Sequence, residues 1–195
     1  NFLNPQQIPL VAWSLAWVAD EASAQLGARK AAVQSEAQWG GDFLVRMLDD
    51  AGFFYMTVFD NWSGQLSSRQ LCAFEGQGGA KTAKYQAAFR EGAGMSIAAL
   101  ARLSRWGKSA PFTDYLAAAK KGFAHVSEKG PSYCDDGKEN IIDDYTALLA
   151  ATELFAATHD DVYLTAARAR ASSLHQRLSS TGYFRAGTTS SPGAT

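Results

Sequence analysis

Cysteine is scarce in this chain. Two residues, Cys72 and Cys134, in 195 cannot build a disulfide framework, and they lack the spacing of a zinc site. They could pair only in an oxidising compartment. An excess of charge of one sign is also missing. The net charge is -1, and no Lys/Arg stripe collects phosphates, which excludes a strongly basic nucleic-acid binder. Long apolar runs are absent. The most apolar stretch, residues 8–19, is broken by Trp13 and Ser14 and soon meets Asp20 and Glu21. It falls short of the ~18 residues that a membrane span needs. With 47% hydrophobic and 19% charged residues the chain is too apolar to be disordered. Its length suits one domain with a real core.

The familiar catalytic signatures are lacking as well. There is no G-x-S-x-G, no Walker loop and no dinucleotide fingerprint. The glycines of GQGG, residues 76–79, and of REGAG, residues 90–94, follow no strand and are rejected as phosphate cradles. His125, His159 and His175 have no partner at metal spacing, and solvated or capping roles suit them. Nothing here asks for a cofactor. The calcium-loop pattern needs a glycine at its sixth position and a terminal Glu, and DDGKENIIDDY fits neither.

What is present is alanine, about one residue in six, and helical periodicity that the five prolines do not interrupt. The spacing predicts six helices. The first covers residues 6–26, with Pro5 and Pro9 in its opening turn and Gly27 as its stop. The second covers residues 36–51, with Ser35 and Gln38 as a capping box and Gly52 at its end. The third covers residues 84–105, with Gly92 and Gly94 inside it as marks of close approach by another backbone or a ligand. Pro111 opens the fourth, to residue 126. The fifth covers residues 141–158. Asp160 caps the sixth, to residue 179. Residues 53–62, FFYMTVFDNW, are aromatic and β-branched and predict a short extended segment and loop. Short linkers predict antiparallel hairpins. No period repeats strictly enough to mark an array, although helix pairs of similar size recur, as in a toroid or solenoid. Residues 1–186 form the expected domain, and the polar Ser/Thr/Gly segment 187–195 an expected disordered tail. Both ends read as those of a piece of something larger.

The candidate chemistry lies in carboxylates beside aromatics. Asp135, Asp136, Glu139, Asp143 and Asp144 cluster around the start of the fifth helix, next to Tyr145. They suit either a turn followed by an acidic helix start or contacts to sugar hydroxyls, with rings stacking on pyranose faces. Asp60 and Trp62 in FDNW have the same character on a predicted loop. Arg90 and Glu91 follow Phe89 in the glycine-containing stretch. As an i,i+1 pair they do not face each other on a helix.

Together these segments resemble glycoside hydrolase family 9. EAQWGGDFLVRML followed by GFFYMTVFDNW is similar to that family's helix-then-loop beside the substrate cleft. FREGAGMSIAALARLSRW resembles its alanine-rich inner helix. IIDDYTALLAATELFAATHDDVYLTAA resembles its Asp-Glu-Leu to Tyr-Leu segment, with Asp144 where the family usually has Glu. NPQQIPLVAW, RQLCAFEGQGG, YQAAFREGAG and CDDGKENIIDDY look most like the bacterial branch of exo-acting β-glucosaminidases and cellobiases. The resemblance covers residues 1–185, and the chain from Gly187 departs from it.

The resemblance implies an all-α fold, part of an α/α toroid of six hairpins, and an inverting hydrolase of β-1,4-linked gluco- or glucosamine oligosaccharides. Its partners would be the oligosaccharide and the remainder of the catalytic domain, with no nucleic acid and no membrane. The family's base comes from an Asp-Ala-Gly-Asp motif and its acid from a C-terminal Glu segment. Neither has a match here, so no catalytic residue is carried over. Asp60, Trp62, Arg90, Asp143, Asp144 and Tyr145 are the expected cleft contacts. A protonated amino sugar would favour such a carboxylate-rich pocket. The alternatives are a non-catalytic helical module that binds a sugar or a partner, and another toroid enzyme such as a sugar epimerase, for which the histidines are poorly placed. Family members are often secreted, though the oligosaccharide-directed branch need not be.

Overall fold

The computed structural model describes residues 2–3, 7–59, 63–72, 86–107, 114–134 and 136–186. Among these residues six long helices carry the fold: α1 (Gln7–Glu21), α3 (Lys30–Arg46), α4 (Ala93–Ser104), α5 (Tyr115–Lys129), α6 (Ile141–Thr158) and α7 (Asp161–Arg177), with a single turn, α2 (Ser23–Leu26), after α1. A small antiparallel sheet is added by β1 (Phe2–Leu3), β2 (Thr57–Phe59) and β3 (Gln70–Cys72), in the order β1-β2-β3. The tail 187–195, Pro5, Pro111, Asp135 and the GQGG turn lie outside the described residues.

Helices α5, α6 and α7 start where short polar side chains cap them. Asp114 accepts the Ala117 N–H at 2.9 Å, and Asp160 accepts that of Val162 at 3.1 Å. At α6 the cap is reciprocal. Asn140 Oδ1 accepts from Ile142 N at 2.8 Å, and Asp143 Oδ2 accepts from Asn140 N at 2.8 Å. The α6 span and the Asp160 cap agree with the sequence; α7 ends at Arg177, two residues short of the expected boundary.

Three helix starts differ from expectation. Helix α5 begins at Tyr115, behind the Asp114 cap, where Pro111 was expected to open it. The second helix begins at Lys30, so Ser35 lies inside it and caps nothing. Gly27, at φ 51, ends α2 at Leu26 as expected, and the helix-favouring Ala28, Arg29 and Lys30 start the next helical run directly after it. The third helix begins at Ala93 and not at residue 84. Residues 86–88 are extended, and a 3-10 turn, Phe89–Glu91, follows. Gly92, at φ 120, separates that turn from α4, a backbone angle that side chains disfavour.

Helix α4 is the centre. Every residue from 93 to 103 is buried, and α1, α3, α5 and α6 surround it. Ile97, Leu100 and Leu103 are sealed from solvent, each contributing roughly 1.5–3 kcal/mol by burial. The helices meet closely through small residues. A methyl group on Gly94 would stand 2.7 Å from Thr146 Cβ of α6, and one on Gly40 of α3 would stand 2.9 Å from Ala12 Cβ of α1. At the far end of α4, Arg102 pairs with Glu153 at 3.0 Å and with Asp20 at 3.0 Å. Trp13 donates its indole N–H to Glu153, and Trp106 donates to Asp20. This network joins α1, α4 and α6.

One device occurs twice. After α3 the chain turns through residues 48–54. Asp49 N donates to Phe53 O at 2.8 Å, Gly52 N donates to Asp49 O at 2.9 Å, and Leu48 pairs with Phe54. After α7 it turns through residues 178–184. Ser179 N donates to Tyr183 O at 2.8 Å, Gly182 N donates to Ser179 O at 3.1 Å, and Leu178 pairs with Phe184. Gly52 and Gly182 stand at φ 104 and 88, which explains the shared glycine. The next bond is also copied: Tyr55 N donates to Met47 O and Arg185 N to Arg177 O, both at 2.9 Å. The common pattern is only Leu, Gly, an aromatic and Phe at matching offsets, too sparse to register as a sequence repeat.

Candidate functional site

The candidate residues that the structure describes meet at the start of α6. The 3-10 turn before α4 is held by Glu91, whose carboxylate accepts the Ala88 N–H at 2.9 Å. This sets Arg90 against Asp143. The Arg90 backbone N–H donates to Asp143 Oδ1 at 2.9 Å, and its guanidinium lies 3.7 Å from Oδ2. The same guanidinium reaches Asp136 at 3.3 Å. Asp143 is fully buried, whereas Asp136 is largely exposed and stands at the rim.

Burial pushes the Asp143 carboxyl above its ordinary value, against the pull of the Asn140 and Arg90 N–H groups and the Arg90 charge. Burial also opposes the Arg90 charge, yet Asp143, Cys134 and Asp136 together hold its pKa above the ordinary value. Asp136 is held low, chiefly by the Lys138 N–H, with Arg90 assisting. Cys134 is a free, buried thiol beside this group, pushed up to about 12 by burial and by Asp143.

Asp144 is buried on the other side of α6, facing α7. Its Oδ1 accepts from Arg170 at 3.1 Å, and its Oδ2 accepts from Ser173 at 2.8 Å and Arg177 Nε at 2.6 Å. Arg170 also forks onto Glu139, at 2.6 and 2.9 Å, and lies over the Phe89 ring at 5.2 Å. Tyr145 is 48% exposed. Asp60 and Trp62 lie outside the described residues; the strand leading to them, β2, matches the predicted extended segment.

The two described carboxylates of the candidate set, Asp143 and Asp144, are thus enclosed and fully engaged, while Tyr145, Asp136 and the edge of Arg90 reach the surface. Arg170, Ser173 and Arg177, the partners of Asp144, were not expected from the sequence. A signal existed: Arg170, Ser173 and Arg177 recur at helical spacing in line with Tyr163 and Ala167, the buried face of α7. Polar groups on an inward stripe require partners there. Among the described residues no group of three His, Cys, Asp or Glu could hold a metal ion, and no helix is long and apolar enough to cross a membrane. His125 bonds Tyr133 at 2.6 Å, and His159 ends α6 in the left-handed region at φ 56.

Two solved structures share the fold. Endoglucanase CelQ from Clostridium thermocellum complexed with cellotriose superposes with a TM-score of 0.58 at 20% identity, and the same enzyme with cellotetraose with 0.59 at 19%. Each match covers 85% of this chain and 28% of that chain, so the present chain spans less than a third of these relatives. No curated protein sequence matches it. The architecture is all-α and part of an α/α toroid. The sequence model described as glycosyl hydrolase family 9 matches residues 7–190, almost all of the helical body built above, and the chain belongs to that family.

Proposed function

We propose that this chain is the scaffold and one cleft wall of an inverting glycoside hydrolase acting on β-1,4-linked gluco-oligosaccharides. The observation that carries the proposal is the charge-compensated rim at the start of α6. Asp143 and Asp136 are met by Arg90, Glu139 by Arg170, and Asp144 by Arg170 and Arg177. No bare carboxylate is left among these for an ammonium group, which favours neutral glucose units over glucosamine. The cellobiase arm of the bacterial branch fits better than the glucosaminidase arm. Tyr145, Asp136 and the exposed edge of Arg90 are the proposed sugar contacts, with Asp60 and Trp62, which follow β2 in the sequence. Asp143 and Asp144 hold this wall in place.

The inverting mechanism needs an acid and a base ~6.5–9.5 Å apart, with water between base and sugar. Asp143 spends its oxygens on two backbone N–H groups and a guanidinium, and Asp144 on two guanidiniums and a hydroxyl. Neither is free to shuttle a proton to substrate. The catalytic pair in this proposal comes from the remainder of the domain. The outer side of α1 supports that partner: Leu10, Val11 and Trp17 are 48%, 57% and 45% exposed on a helix that is apolar nearly all round.

The test is cellotetraose hydrolysis followed by proton NMR, on this chain alone and on a chain extended by its flanking coding sequence. The extended protein is expected to release the α-anomer first, and this chain alone to release nothing. Hydrolysis by the 195-residue chain would overturn the assignment of the catalytic pair. A cleanly monomeric chain in light scattering would favour a self-sufficient sugar-binding module.

A further inference from the structure

The two copies of the turn differ at one buried position. Met47 in the first copy and Arg177 in the second both supply the carbonyl that accepts the returning strand, and both are 3% exposed. In the first copy the returning strand is secured sideways by backbone. Tyr55 pairs with Gln86, and Ala87 N donates to Phe54 O at 2.8 Å. In the second copy a side chain shares this work with the backbone. Arg177 Nη1 donates to Ala186 O at 2.6 Å while its Nε donates to Asp144 Oδ2 at 2.6 Å. The same Ala186 carbonyl accepts the N–H of Ile141, the first residue of α6, at 3.1 Å.

We propose that Arg177 is a positioning residue that clamps the exit strand, residues 184–186, onto the first turn of α6. Both returning strands thereby reach the Arg90–Asp143 junction. The first arrives through residues 86–88, which lead into Arg90. The second arrives through Ile141, two residues before Asp143. A planar guanidinium can donate in two directions at once, which a lysine cannot reproduce. Burying that charge is tolerable because Asp144 stands opposite it. The clamp is independent of the substrate proposed above and holds whether or not the chain belongs to a glucan hydrolase.

Amide exchange of the 195-residue chain, followed by NMR, tests it. The Ile141 N–H has no acceptor within its own helix, so its protection reports the docking of Ala186. In Arg177→Met, which copies the residue of the first turn, Ile141 is expected to exchange about tenfold faster or more, while Ile142 and Arg185 stay within about twofold of the parent. Ile142 reports the Asn140 cap, and Arg185 reports the turn itself. Unchanged protection at Ile141 would overturn the clamp. So would equal loss at all three amides, because Arg177 would then serve only the packing of α6 on α7. Should Arg177→Met fail to fold, Arg177→Lys keeps the charge beside Asp144 and should show the same selective loss. Full Ile141 protection in that variant would refute the two-way donation.

Discussion

The backbone N–H of Arg90 donates to Asp143 Oδ1 at 2.9 Å, across 53 residues of chain. Asp143 is therefore shared between two elements. One of its oxygens caps its own helix through Asn140, and the other fixes the turn that begins α4. Asp143 thereby ties the start of α4 to the start of α6.

Asp143→Asn should destabilise the chain by about 1–3 kcal/mol, because an amide leaves one N–H facing a donor. It should also change the pH dependence. The native carboxyl is raised above its ordinary value. Between the unfolded and native pKa values the folded state binds more protons, so stability from this group falls as pH rises through that window. Above the native value the cost is constant. Urea titrations from pH 3 to 7 should show that fall in the parent and lose it in Asp143→Asn; identical pH profiles would refute the assignment.

Gly94→Ala should cost about 1–3 kcal/mol, since the new methyl meets the side chain and backbone of Thr146, which cannot retreat. For a chain of this size each kcal/mol lowers Tm by about 2–4 °C. An unchanged or higher Tm in thermal denaturation would mean that α4 and α6 are not so close.

Arg102→Met should cost about 3–5 kcal/mol by leaving Glu153 buried without its principal cation. Adding Glu153→Met should recover much of this, because two apolar chains can fill the space of an ion pair. A double-mutant cycle measured by urea unfolding decides it, and simple additivity would refute the coupling.

Cys134 should resist iodoacetamide at pH 8 in the folded chain, because burial and a pKa near 12 leave almost no thiolate. Peptide mapping should find it labelled only in denaturant. Prompt native labelling would show that the rim opens.

The match between sequence and structure is best where signals are local. The start of α7 was legible because Asp160 caps it from within two residues, and α6 begins where the helical spacing placed it, with Asn140 as a cap that the structure adds. The starts of α3 and α4 were misplaced because the deciding groups are not local in that sense. Ser35 looks like a cap but lies in a run of good helix formers, and the turn before Ala93 is fixed by Asp143 from another helix. The six long helices among the described residues, the all-α class, the balanced charge and the family were determined by the sequence itself, through periodicity, capping and the resemblance of its motifs. Tertiary structure alone decided which carboxylates are enclosed, that Arg177 and Met47 occupy matching places, and that Asp144 belongs to α7 as much as to α6. Those facts depend on ion pairs and close approaches between segments 26 to 53 residues apart, and only packing brings such groups within reach.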